Sequence, residues 1–143
     1  MTRTKVTERV TAVVAATTTW PEFAGLWKPL LDQVYICLGS QGALQEGRNV
    51  MLYKDDVPNV EVGVELVVPC EFIEPVIRSV LPAGEVATTV HRGPYEQLRT
   101  THAAVVRACD ENDWRRAGPR WEIYRDWQED PAELETEVYY LLD

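Results

Sequence analysis

The sequence predicts an α+β domain in which a strand–helix–strand–strand unit occurs twice. Three observations carry that prediction. Two helical apolar stripes each follow a strand-like run and precede two more. Short motifs recur in the same order in both halves. The strand runs alternate apolar and polar residues with a period of two, as half-buried antiparallel strands do.

Residues 9–19, rich in β-branched side chains, read as the opening strand of the first unit. Phe23, Leu26, Trp27, Leu30, Leu31 and Val34 then follow at i, i+3, i+4, i+7, i+8 and i+11, the spacing of one helix face. Pro29 falls inside that stripe and, lacking an N–H, is expected to kink the helix or split it near Leu26. Residues 48–54 and 60–68 are strand-like on either side of the turn signal Asp55-Asp56-Val57-Pro58-Asn59. The second unit repeats the order. Residues 85–91 form its strand, and Gly93-Pro94 opens a helix with the stripe Leu98, His102, Val105, Val106 and Cys109. Strands over 120–126 and 135–142 follow, around Asp130-Pro131. Gly47 to Tyr53 lies against Gly118 to Tyr124, and Glu61 to Val64 against Glu137 to Tyr140. The 143 residues therefore read as a single domain, with repeat one at about 1–71 and repeat two at about 72–143.

Composition narrows the function. Acidic residues outnumber basic ones 23 to 14, a formal net charge of -9 that repels phosphate backbones, so direct nucleic-acid binding is not expected. No run approaches the roughly 20 apolar residues that span a bilayer. Arg3, Lys5 and Arg9 ahead of Val10 to Ala16 imitate a signal peptide, but that stretch is short, includes Thr11 and alternates like a strand. The chain reads as soluble and cytoplasmic. Cys37, Cys70 and Cys109 have no metal-ligand spacing and read as thiols in a reducing compartment; His91 and His102 supply too little for a metal site, and no cofactor is expected.

The alternation also assigns faces. Val60, Val62, Val64, Leu66 and Val68 share one side of their strand, with Glu61, Gly63 and Glu65 on the other. Val138, Tyr140 and Leu142 oppose Glu137 and Tyr139; Trp121 and Ile123 oppose Glu122 and Tyr124; Val50 and Leu52 oppose Met51 and Tyr53. With the apolar sides under the helices of one antiparallel sheet, the other face collects Glu61, Glu65, Glu122, Glu137, Tyr53, Tyr124 and Tyr139. Aromatic walls with a few carboxylates suit a flat, lipophilic or cationic molecule.

His91-Arg-Gly-Pro-Tyr95 ahead of a helix, Trp121-Glu-Ile-Tyr124, Asp130-Pro131 and Thr136-Glu-Val-Tyr139 occur in that order. Together they resemble the GyrI-like small-molecule-binding domain, the effector-binding module of AraC-type and MerR-type regulators. The resemblance implies a pseudo-two-fold domain with a ligand cleft between its repeats, where an acidic residue and aromatics take up varied, often cationic, compounds. On this sequence the carried-over pairs are Glu137 with Tyr139 and Glu122 with Tyr124. The first-repeat counterparts are Glu61 and Tyr53, and Gly63, standing where Tyr139 supplies an aromatic, is expected to open one end of the cleft. Tyr95 and Trp27 complete the expected walls.

With no helix-turn-helix pattern, the chain is read as a stand-alone form. The leading expectation is a binding protein for a lipophilic, aromatic or cationic small molecule. An alternative is a metal-independent hydrolase that opens reactive cyclopropane rings of DNA-alkylating natural products. Glu137 would then be the general base, with Tyr124 or Tyr139 donating to developing negative charge. A third reading is a protein partner such as gyrase. An unpartnered buried carboxylate in such a cleft is expected to have a raised pKa. His91 is read as positioning the second helix, and His102 as a packed or hydrogen-bonded residue of the stripe.

Overall fold

The computed structural model describes residues 1–42 and 47–143. Among them β1 (Thr2–Val6) and β2 (Arg9–Thr17) lead into α1 (Trp20–Ser40), followed by β3 (Asn49–Tyr53) and β4 (Asn59–Glu65). The second half runs β5 (Val76–Leu81), β6 (Gly84–Arg92), α2 (Leu98–Glu111), β7 (Arg116–Tyr124) and β8 (Glu135–Leu142). Single 3-10 turns stand at Tyr95–Gln97, before α2, and at Pro131–Glu133, where Asp130 accepts from the Ala132 N–H. The expected α+β architecture is present. β1 and β5 were not anticipated: both are edge strands, and an edge strand needs no apolar face along its whole length to be held.

Helix α1 begins where Thr19 accepts from the Glu22 N–H at 3.3 Å, an N-cap that satisfies one of the first orphan donors. It continues through Pro29 without splitting at Leu26. The ring crowds the carbonyl four residues earlier, which belongs to Gly25, and nothing lies within 4 Å of the position a Cβ would take there. Burial of Leu30, Val34, Cys37 and Leu38 against the sheet offsets the missing hydrogen bond.

The strands form one antiparallel sheet in the order β1-β6-β8-β7-β3-β4-β2-β5. That order is symmetric about the central β7–β3 pair, with the first unit on one side and the second on the other, except that β1 and β5 have crossed to the opposite unit. Only Thr7 and Glu8 join β1 to β2, and only Pro82 and Ala83 join β5 to β6, although each pair lies at opposite ends of the sheet. Such short connections require the sheet to curl until its ends approach.

Curling creates a second core on the face away from the helices, built by Val13, Val50, Leu52, Leu81, Val86, Trp121 and Ile123. On the helix side α1 packs on Val14, Met51, Tyr53, Val60, Val62 and Val64, and α2 packs on Ala87, Val138, Tyr140 and Leu142. The face assignment of β3 and β7 is therefore the reverse of the expected one. Their apolar residues Val50, Leu52, Trp121 and Ile123 serve the far core, and Met51, Tyr53, Glu122 and Tyr124 lie under the helices. Register splits the expected carboxylate face in two. Met51 pairs with Glu122 and Glu122 with Val138 on the helix side, whereas Trp121 pairs with Tyr139 and Ile123 with Glu137 on the far side. Gly63 opens no cleft: it pairs with Val13 and Val50, where strand backbones approach too closely for a side chain.

Candidate functional site

A cavity of about 500 Å³ lies over the centre of the sheet, between the two helices. Phe23, Trp27 and Leu31 reach it from α1, Tyr95 and Leu98 from the start of α2, and Met51, Tyr53, Glu122 and Tyr124 from the sheet. Arg125 and Trp127 stand at its rim. The rings brace one another: Tyr95 meets Tyr124 edge-on at 5.5 Å, and Tyr53 meets Phe23 edge-on at 5.6 Å.

Glu122 is the acidic group of this cleft and is 4% exposed. Its Oε1 accepts from the hydroxyls of Tyr53 at 2.8 Å and Tyr124 at 2.6 Å, and its Oε2 lies 2.7 Å from Nε2 of His102. The other ring nitrogen of His102 is 2.7 Å from the Tyr140 hydroxyl. Burial pushes the Glu122 carboxyl toward its neutral form, but the hydrogen bond and attraction of His102 and the two tyrosine hydroxyls outweigh it. The carboxyl is held below the usual carboxylate range. The expectation of a raised carboxyl pKa is thus reversed, because the group is partnered on both oxygens. Burial and the Glu122 charge push the Tyr53 and Tyr124 phenols well above their ordinary value, so both remain hydrogen-bond donors.

Of the residues expected in the cleft, Glu122, Tyr124, Tyr53, Tyr95 and Trp27 come together. Glu137, Tyr139 and Glu61 lie on the opposite face. Glu137 binds Arg48 and Arg125 at 2.9 Å each and accepts from the Tyr139 hydroxyl. Burial opposes its charge, but Tyr139 and Arg125 hold its carboxyl low, while burial and Glu137 push the Tyr139 phenol up to about 12. Glu61, 3% exposed, is paired with Lys54 at 2.7 Å and accepts from Ser79. Glu137 and Tyr124 sit on opposite faces of adjacent strands, whereas Tyr139 shares the side of Glu137, whose carboxylate is engaged by two arginines.

His102 is the site residue that pattern reading undervalued. A polar side chain on the buried stripe of α2 needs a partner in the sheet, and that requirement pointed to a buried acid. His91 ties β6 to α2: its ring nitrogens lie 2.6 Å from the Thr101 hydroxyl and 3.0 Å from the Pro94 carbonyl. Among the described residues no group of three or more His, Cys, Asp or Glu side chains is placed to hold a metal ion, and no helix is long and apolar enough to cross a membrane.

The two depressed carboxyls give the fold an acid limit. A group whose folded pKa is lowered stabilises the protein fully above its unfolded value, and that stability is lost as pH falls through the folded value. For Glu122 and Glu137 the ordinary value is 4.5, so thermal stability is expected to hold from neutral pH to about 5 and to decline below about 4.5. Melting curves across that range check this; a shallower acid limb is expected in Glu122→Gln and in Glu137→Gln.

The model of the GyrI-like small molecule binding domain family matches residues 53–142. No curated protein sequence matches the chain. Among solved structures, the C-terminal domain of EcmrR is similar with a TM-score of 0.80 at 19% identity, covering 99% of this chain and 96% of that one. SAV2435 bound to tetraphenylphosphonium has a TM-score of 0.71 at 12% identity, covering 99% and 93%. A hydrolase encoded by lin2189 from Listeria innocua has a TM-score of 0.60 at 13% identity, covering 99% and 91%. At these identities the likeness shows the fold.

Proposed function

Because the chain belongs to the GyrI-like small-molecule-binding family, we propose that the cleft between α1 and α2 binds a lipophilic, aromatic or cationic small molecule against Glu122, for sensing, sequestration or drug resistance. The observation that carries this reading is a buried carboxylate, kept charged by three hydrogen-bond partners, at the floor of an aromatic cavity. Ring faces of Tyr53, Tyr124, Tyr95 and Trp27 supply apolar area and attraction for a cation, and low local polarity strengthens the pull of the carboxylate. A neighbour in fold is named for its complex with tetraphenylphosphonium, a molecule of this chemistry. Three free thiols suit the cytoplasm, where we place the protein.

Trp27 and Trp127 line the cleft and report on it. Titration with tetraphenylphosphonium is expected to give a saturable change in tryptophan emission, with neutral triphenylphosphine oxide binding at least tenfold more weakly. Equal affinities would remove the charge from the account, and no saturable change with either compound would remove the cleft.

A hydrolytic reading has two observations in its favour: two tyrosine hydroxyls converge on the same carboxylate, and a neighbour in fold is described as a hydrolase. Glu122, not Glu137, would then take the proton from an attacking water, and Tyr124 would donate to developing negative charge on the opened ring system. Mass spectrometry of a cyclopropane-containing alkylator incubated with the protein tests this: water addition is expected in wild type and not in Glu122→Gln.

A further inference from the structure

The carboxylate at the floor of the cleft has a second layer behind it. His102 lies one turn beyond Leu98, on the stripe that buries Val105 and Cys109 against the sheet. Its imidazole bridges two strands, with Nε2 at 2.7 Å from Glu122 on β7 and Nδ1 at 2.7 Å from the Tyr140 hydroxyl on β8. A carboxylate only accepts hydrogen bonds, so Nε2 carries the hydrogen. In the neutral ring Nδ1 is then the acceptor and Tyr140 the donor, which selects one tautomer. Tyr140 in turn lines a separate cavity of about 420 Å³ with Trp114, Arg116 and Arg120.

We propose that His102 is a positioning residue for ligand binding: pinned by Tyr140 as the Nε2–H tautomer, it anchors Glu122 from behind and keeps the carboxylate charged, so that the site prefers cations to neutral molecules of similar shape. The proposal rests on the cleft being the ligand site. Its physical basis is geometric: the His102 ring and the Tyr53 and Tyr124 hydroxyls each donate a hydrogen bond to the buried Glu122 carboxylate. Burial favours the neutral acid, and the opposing contributions come first from His102, then from Tyr124 and Tyr53. The groups facing this carboxylate are His102 from α2, Tyr53 from β3 and Tyr124 from its own strand. Tyr140 of β8 stands behind the imidazole, Tyr95 against Tyr124, and Arg120 close enough to act on Tyr53 and Tyr140. The α1 residues at the cleft, Phe23, Trp27 and Leu31, carry no charge, and Arg125 at the rim is paired with Glu135 and Glu137. Without His102 the carboxylate loses the hydrogen bond to Oε2, the carboxyl shifts toward protonation, and a protonated carboxyl has no charge to offer a cation.

Three readouts test this, two of which need no ligand. The carboxyl ¹³C shift of Glu122, followed with pH in ligand-free protein, is expected to titrate at clearly higher pH in His102→Leu. In His102→Gln, whose amide still donates, it is expected to stay close to wild type. The ¹⁵N spectrum of the imidazole is expected to show the Nε2–H tautomer in wild type and a mixture in Tyr140→Phe. With ligand, tetraphenylphosphonium affinity falls at least tenfold in His102→Leu and less than threefold in His102→Gln, while triphenylphosphine oxide changes less than twofold in both. An unmoved carboxyl midpoint in His102→Leu, equal losses for the two probes, or an Nδ1–H tautomer in wild type would overturn the proposal. If neither probe binds wild type, the ligand reading fails and the two ligand-free spectra still decide whether His102 holds Glu122. Should His102→Leu not fold, Tyr140→Phe and His102→Gln carry the comparison.

Discussion

Gly63→Ala is expected to lower the melting temperature by roughly 10 °C, or to abolish folding. Gly63 sits mid-strand in β4, paired with Val13 of β2 on one side and Val50 of β3 on the other. A Cβ at this position falls 1.9 Å from the Ala12 carbonyl oxygen and 2.8 Å from the Val13 Cα. Both are backbone atoms, so no side chain can swing away; β2 and β4 must separate, and their ladder is interior to the sheet. Overpacking a well-packed site costs about 3 kcal/mol or more when the backbone has to move. For a domain of this length each kcal/mol is worth about 3 °C. Thermal unfolding followed by circular dichroism decides it, and an unchanged midpoint would mean that the two strands are not in such close approach.

Trp121→Ala is expected to cost about 3–5 kcal/mol, the range for deleting a large buried aromatic. Trp121 is 2% exposed and stacks on Tyr139 with ring centres 5.5 Å apart, inside the core on the face away from the helices. Removing it empties the middle of that core and loosens the ring that donates to Glu137. Trp127→Ala is the matched control: at 72% exposure on the rim of the cleft it should change stability by less than about 0.5 kcal/mol. Equal effects of the two substitutions in urea unfolding would mean that the second core contributes little.

These two residues also show where the sequence was legible. The type and order of both helices and of the six inner strands were plain, because segments such as the stripe from Phe23 to Val34 and the alternation from Val60 to Leu66 are strongly periodic; the edge strands β1 and β5 carry no such pattern. Which face each strand turns to the helices was not. Alternation marks one buried face per strand, whereas β3 and β7 at the centre of a curled sheet are buried on both. Periodicity finds the two sets of residues but does not say which set lies under the helices. That ambiguity placed Glu122 and Glu137 together, although their residues lie on opposite sides of the paired strands β7 and β8. Gly63 read as a missing aromatic because the close approach of β2 depends on a long-range pairing that no local pattern reports. His102 had a legible signal in its place on the buried stripe, but its partner, Glu122, is in reach only once that acid is turned toward α2.

Ligand binding on the helix side of the sheet, at Glu122, is the central proposal; Glu137 lies on the other face, paired with Arg48 and Arg125. Parallel tetraphenylphosphonium titrations of Glu122→Gln and Glu137→Gln, each checked for folding, test that division most directly. The expected result is at least a tenfold loss of affinity in Glu122→Gln and a change below twofold in Glu137→Gln. Loss of binding in Glu137→Gln with wild-type affinity in Glu122→Gln would contradict it.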